Sequence, residues 1–207
     1  MAYAALYLVS LIVALFVLQQ LDPSITGGFA LVSSDVASRP WTLVTSIFMH
    51  SGLLHLLYNG VGLFLFGLLL EKKVGMKKFL LVFFASGIFA SVAAALFYPS
   101  SLGASGAVFG VIGALSVLTP LTVVWVYYLP MPLFVAAAVW AVGDLFGFIM
   151  PSNVANAAHL AGLFAGVLLG FFLRGRKPLF SKRKKHKEHV SRGELEKWED
   201  EYMLKKH

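Results

Sequence analysis

The chain has 207 residues, 58% of them hydrophobic and 13% charged, with a mean hydropathy of +0.80. Soluble domains are roughly half apolar, so this composition describes a membrane protein in which one membrane domain uses most of the length and leaves no room for a second globular core. The absence of cysteine excludes a disulfide framework and leaves the redox compartment unread.

Six apolar runs follow one another at about 3–21, 51–70, 79–98, 105–119, 129–149 and 155–173. Each approaches the roughly 20 residues that a helix needs to cross about 30 Å of hydrocarbon. The first is rather long for the apolar core of a secretory signal and has no basic flank before it, so it reads as a spanning helix. The expected fold is all-α: a polytopic bundle of six transmembrane helices over residues 1–173, then a basic, charged tail over 174–207. The net charge of +7 gathers at Lys72, Lys73, Lys77 and Lys78, between the second and third runs, and in the tail. Positive loops stay on the cytoplasmic side. An even number of spans puts both basic segments and both termini there, and turns segments 22–49, 98–103 and 150–153 outward. In the tail, the run from Lys182 to Lys185 suits anionic headgroups, and Ser191 with Glu194 has capping-box spacing for a short helix. The short tail shows no folded basic surface carrying base-reading or stacking groups, so no nucleic-acid partner is expected.

Polar residues inside the apolar runs carry the functional information, because ionisable groups in hydrocarbon are costly and tend to face the bundle interior or a wet cavity. His50, His55 and Asn59 stand around the start of the second span, Ser105 starts the fourth, Asp144 lies near the end of the fifth and His159 near the start of the sixth. Alternating span direction brings all six to one end of the bundle. His55 and Asn59, four residues apart, share a helical face, whereas His50 diverges from His55 and is assigned to fixing the outer end of the span. Gly106, Gly110 and Gly113 in the fourth span, and His159, Gly162, Gly166 and Gly170 in the sixth, repeat at helical spacing. Small faces let membrane helices approach backbone to backbone, which would bring His159 to Ser105. A serine hydroxyl becomes a nucleophile when a neutral imidazole takes its proton. The oxyanion formed on a carbonyl would find donors in the first amides of the fourth helix, in Asn59 and in His55. Asp144 could orient His159 as the acid of a triad does or bond a helix end, and Glu71, at the cytoplasmic end of the second span, reads as a local cap or a partner of the nearby lysines. Gly103 is read as leaving room for a substrate backbone.

These residues resemble a known family. Gly103-Ala104-Ser105-Gly106 is similar to the GxSG motif of rhomboid intramembrane serine proteases, of the prokaryotic six-span type. His50, His55 and Asn59 match their HxxxxHxxxN pattern, and the run from Ala158 to Gly166 matches AHxxGxxxG. The resemblance runs from about Arg39 to Phe172. It implies a six-helix rhomboid-like bundle, a Ser105–His159 catalytic dyad without a required acid, and oxyanion stabilisation by His55 and Asn59, with His50, Gly103, Gly106 and Phe109 in support. It further implies an endopeptidase that needs no cofactor or metal and cuts single-span membrane proteins in or near their transmembrane segment, with the active site toward the outer face of a prokaryotic cell membrane. Two departures stand out: the order Arg39-Pro40-Trp41 in place of a Trp-Arg pair, and Phe109 where the best-known bacterial members carry a tyrosine.

Other functions fit less well. A metalloprotease helix would carry HisGluxxHis, which is absent. An aspartyl mechanism needs a second carboxylate beside Asp144; zinc ligation by His50, His55 and His159 conflicts with the diverging faces of the first two; and a transporter would place its polar site near the midplane. The alternative that keeps the fold is an inactive rhomboid-like protein that binds or escorts transmembrane segments. Span five, with Pro130 and Pro132 near its start, is the element expected to gate lateral access.

Overall fold

In the structure, a computed structural model that describes residues 3–126, 128–150, 154–174 and 192–202, every apolar run contains a helix. The helices are α1 (Ala4–Leu21), α2 (Leu53–Val74), α3 (Met76–Phe97), α4 (Ser105–Leu118), α5 (Leu133–Ile149) and α6 (Asn156–Arg174). Four of them, α1, α2, α3 and α6, are long and apolar enough to span a membrane, while α4 and α5 are shorter apolar helices of 14 and 17 residues. This is the expected all-helical membrane bundle. Large side chains such as Phe89, Leu145, Phe164 and Phe172 are exposed on its flanks, as a surface in contact with lipid requires.

Two boundaries differ from the sequence expectation for physical reasons. Gly75 alone separates α2 from α3, with φ 84°, so α3 begins at Met76 and takes in Lys77 and Lys78, whose long stems can carry their charges out to the interface. At the start of the fifth run, Pro130 and Pro132 lie not in a helix but in a strand, β4 (Leu129–Pro132), paired antiparallel with β3 (Val123–Val126). A second small ladder joins β1 (Leu31–Val32) to β2 (Ser100–Ser101), and thus the first long loop to the segment just before α4. Within that loop Arg39 donates to the carbonyls of Gly27 and Gly28 and pairs with Asp35.

Glu71 corrects its sequence reading. It is buried at the far end of α2, and its two oxygens accept the backbone N–H groups of Ala4 at 2.8 Å and Ala5 at 2.9 Å. It therefore caps α1, where a negative charge also complements the helix dipole, rather than its own helix or the lysines.

The centre of the bundle is the seam between α4 and α6. A Cβ built on Gly162 would strike the carbonyl of Gly106, one on Gly166 the carbonyl of Gly110, and one on Gly113 the carbonyl of Leu163. The two glycine faces expected to pack do so. On the other side of α4, Gly106 meets Ala90 and Gly110 meets Ser86, both on α3, so α4 is enclosed by small residues and most of it is buried. A further helix, α7 (Arg192–Tyr202), lies in the tail. The basic run Lys182–Lys185, the expected cap Ser191 and loop residues 151–153 fall outside the described residues.

Candidate active site

Ser105 is the first residue of α4. Its position follows from the glycine two residues earlier: Gly103 adopts φ 122°, a conformation that side chains disfavour, and its amide bonds the Ser46 carbonyl at 2.9 Å. The space a Cβ would fill at Gly103 is already taken by the His55 ring, 2.7 Å away. The glycine is thus required by backbone conformation and by His55, and the room expected for a substrate there belongs to that imidazole.

The close approach of α6 brings His159 Nε2 to 2.8 Å from Ser105 Oγ. The opposite ring nitrogen, Nδ1, lies 3.0 Å from Asp144 Oδ1. This corrects the expectation that Asp144 serves a helix end: the side chain, buried on α5, reaches the histidine. An ionised carboxylate only accepts hydrogen bonds, so the proton resides on Nδ1 and the Nε2 lone pair faces the serine hydroxyl. Phe109, one turn after Ser105, stacks on the His159 ring with centroids 4.5 Å apart and planes 11° apart. The ring thereby has one face covered and both nitrogens bonded.

His55 carries the opposite tautomer. Its Nδ1 receives the backbone N–H of Ser51 at 3.4 Å and lies 3.0 Å from Ser51 Oγ. A backbone N–H can only donate, so Nδ1 accepts, and the proton sits on Nε2 beside Gly103. Asn59, one turn further, is buried and donates to the His55 carbonyl at 2.8 Å. His55, Asn59, Gly103, Ser105, Gly106, Phe109 and His159 all line one cavity of about 1040 Å³ at one end of the bundle. The first amides of α4 open there too, without helical carbonyls to bond.

His50 lies behind this group. Its ring is buried, packs 5.2 Å from the His55 ring and has Nδ1 3.3 Å from the Phe48 carbonyl. Its backbone N–H and C=O are both bonded by the Gln19 side chain, at 3.1 and 3.2 Å. Gln19 was missed from sequence although amides at the end of a largely apolar first span were a usable signal, and the structure buries this one. Ser51 and Tyr98 were missed as well. The Tyr98 hydroxyl accepts the Ala157 amide at 2.9 Å and so satisfies a donor in the first turn of α6. Neither position stands out from its spacing alone.

A nucleophile with a base in hydrogen-bond contact, an oriented base and nearby donors can carry out acyl transfer. The Rhomboid domain family model matches residues 37–176. The chain belongs to the rhomboid family. Its relatives include RHOMBOID-like protein 6, mitochondrial, of Arabidopsis thaliana, 36% identical over 66% of this chain and 44% of the relative. Rhomboid protease GlpG of Yersinia pseudotuberculosis is 30% identical over 72% of this chain and 56% of its own length. Rhomboid protease GluP of Bacillus subtilis is 35% identical over 61% of this chain and 24% of its own length. The chain therefore spans less than two thirds of the length of each of these relatives. Family membership and the apolar helices make it an integral membrane protein.

Proposed function

We propose that this rhomboid is an active intramembrane serine endopeptidase. The reading is carried by one observation, the 2.8 Å contact of Ser105 Oγ with His159 Nε2 in a cavity at one end of an apolar bundle. Ser105 Oγ attacks the scissile carbonyl carbon as its proton passes to His159 Nε2, giving a tetrahedral oxyanion and an imidazolium. Asn59 Nδ2, His55 Nε2–H and the first amides of α4 donate to that oxyanion. His159 returns the proton to the leaving amide nitrogen, the C–N bond breaks and an acyl-Ser105 remains. Water, deprotonated by His159, then attacks the acyl carbon and restores the serine hydroxyl. Asp144 holds the imidazole in the required tautomer.

The substrates are single-span membrane proteins cut in or near the transmembrane segment, admitted laterally past α5. The membrane domain is residues 1–173 and the tail 174–207. Both termini face the cytoplasm of a prokaryotic cell and the cavity faces outward, in agreement with the lysines at the opposite end. The test is cleavage of a single-span substrate co-reconstituted in liposomes with wild type, Ser105→Ala or His159→Ala. Either substitution abolishes cleavage while leaving the fold intact. Full activity in Ser105→Ala would overturn the mechanism; substrate binding without cleavage by the wild type would favour the inactive, escorting alternative.

A further inference from the structure

The hairpin between α4 and α5 is apolar on both faces, which a water-exposed hairpin would not be. In a strand pair lying on a bundle, side chains alternate between core and solvent. Val124 and Val126 face inward, Val126 only 4% exposed and Val124 packed against the core. The outward positions of β3 are Val123 and Trp125, 61% and 73% exposed, across from Pro132 and Pro130, and Leu129 at the start of β4 is exposed as well. The whole connection 119–132 contains no charged residue.

Its depth can be read from neighbouring helices. Gly103, just before α4, lies against His55 and Asn59, so the start of α4 is level with the first turns of α2. From Asn59 to Val74, α2 rises about 22 Å, and α4, with 14 residues, rises about 21 Å. The hairpin therefore leaves α4 at the level of Lys72 and Lys73, the basic end of α2. Lysines of this kind mark the headgroup level, and Trp and Tyr concentrate at the same level because their rings are apolar and their tips polar.

Two local features agree with burial in that boundary. First, the backbone is largely satisfied internally, as low polarity requires. Val123–Val126 pairs with Leu129–Pro132, and Leu133 N–H donates to Thr122 at 2.8 Å and Phe134 N–H to Pro120 at 3.2 Å, while Pro130 and Pro132 bring no N–H that would need a partner. Second, Tyr128 at the connection has φ 66° and is 95% exposed. Glycine or asparagine suits that conformation far better. An aromatic residue held there against its backbone preference gains nothing in water and gains an anchor in a lipid boundary.

We propose that the β3–β4 hairpin is seated in the headgroup–acyl boundary of the bilayer, on the membrane face opposite Ser105, with Trp125 and Tyr128 as its anchors. The occupant is lipid because the apolar surface is continuous with the lipid-facing side of α5, where Val139, Val142 and Phe146 are also exposed. This inference is independent of whether the chain cleaves peptides.

The chain has no cysteine, so a nitroxide can be attached uniquely through Tyr128→Cys in the full chain, reconstituted in liposomes. The label is expected to collide more with dissolved oxygen than with a water-soluble nickel chelate. Independently, replacing Trp41, Trp140 and Trp198 by Phe isolates Trp125 fluorescence. Lipids brominated near the headgroup should quench it by about half, and more than lipids brominated at the chain terminus, whereas aqueous iodide should have little effect. Free access of the chelate to position 128, or iodide quenching of Trp125 without bromolipid quenching, would overturn the proposal. So would protection that disappears on dilution into excess lipid, which would mark a second copy as the occupant.

Discussion

Replacing Gly166 by alanine tests whether the α4–α6 seam sets both stability and catalytic geometry. The added Cβ would lie on the Gly110 carbonyl, with the Gly110 Cα only 2.7 Å away. Carbon atoms pack at about 3.5–4.0 Å, so the two backbones must separate by about 1 Å. Neither is a flexible side chain that could swing aside. Overpacking of this kind costs about 1–3 kcal/mol, against which the better helix propensity of alanine returns up to about 1 kcal/mol. The same displacement would lengthen the 2.8 Å contact between Ser105 and His159 past hydrogen-bonding range, and a misplacement of about 1 Å can lower turnover about 100-fold. Unfolding in mixed micelles should show the lower stability, and liposome cleavage the lower kcat. Gly60→Ala is the control: on α2, with nothing within 4 Å of its added Cβ, it should be neutral or slightly stabilising in unfolding. Wild-type stability and turnover in Gly166→Ala would refute the seam argument.

Asp144→Ala removes the acceptor from His159 Nδ1, 3.0 Å away; as the loss of a carboxylate that orients a functional histidine, it should lower kcat about 10- to 100-fold with KM little changed, and an unchanged kcat would remove Asp144 from the mechanism. Phe109→Ala exposes the stacked face of His159 and should cost about 0.5–1.5 kcal/mol in kcat/KM, while Phe109→Tyr, which keeps the ring, should not. Glu71→Ala leaves the Ala4 and Ala5 amides unpaired and should lower unfolding stability by about 1.5–3 kcal/mol. Cleavage per folded molecule should be unaffected, since Glu71 stands at the opposite end of α2 from the cavity.

Much of this was legible from spacing. The six apolar runs contain the helices because crossing hydrocarbon demands length and continuous apolarity, and the glycine periods of α4 and α6 identified the seam because only small residues allow such an approach. What spacing could not read was contact across the chain. Glu71 looked local because its sequence neighbours are lysines, yet its partners are 66 and 67 residues away. Asp144 was assigned to a helix end because the resemblance implies a dyad without a required acid, and spacing alone does not show which neighbour α5 turns toward. The second strand of the hairpin hid at the start of the fifth apolar run: periodicity cannot separate a short buried helix start from a strand when both faces are apolar, and the prolines at 130 and 132 were the signal for the latter.

In the proposed mechanism His159 and His55 divide the work through their second nitrogens. Both imidazoles face the same cavity, and sequence alone offers no reason why one should accept a proton and the other donate a hydrogen bond. The difference lies in what stands behind each ring. A carboxylate on α5 behind His159 forces the proton to Nδ1 and frees Nε2 to accept from Ser105. A backbone amide behind His55 forces the reverse and leaves an N–H beside Gly103. Exchanging those partners would leave every residue of the motifs in place and still produce a base without a lone pair and an oxyanion site without a donor. The chemistry thus depends on α5 and on the turn before α2 as much as on the serine and histidine themselves. A displacement of α5 wide enough to admit a substrate helix would have to leave Asp144 within reach of His159.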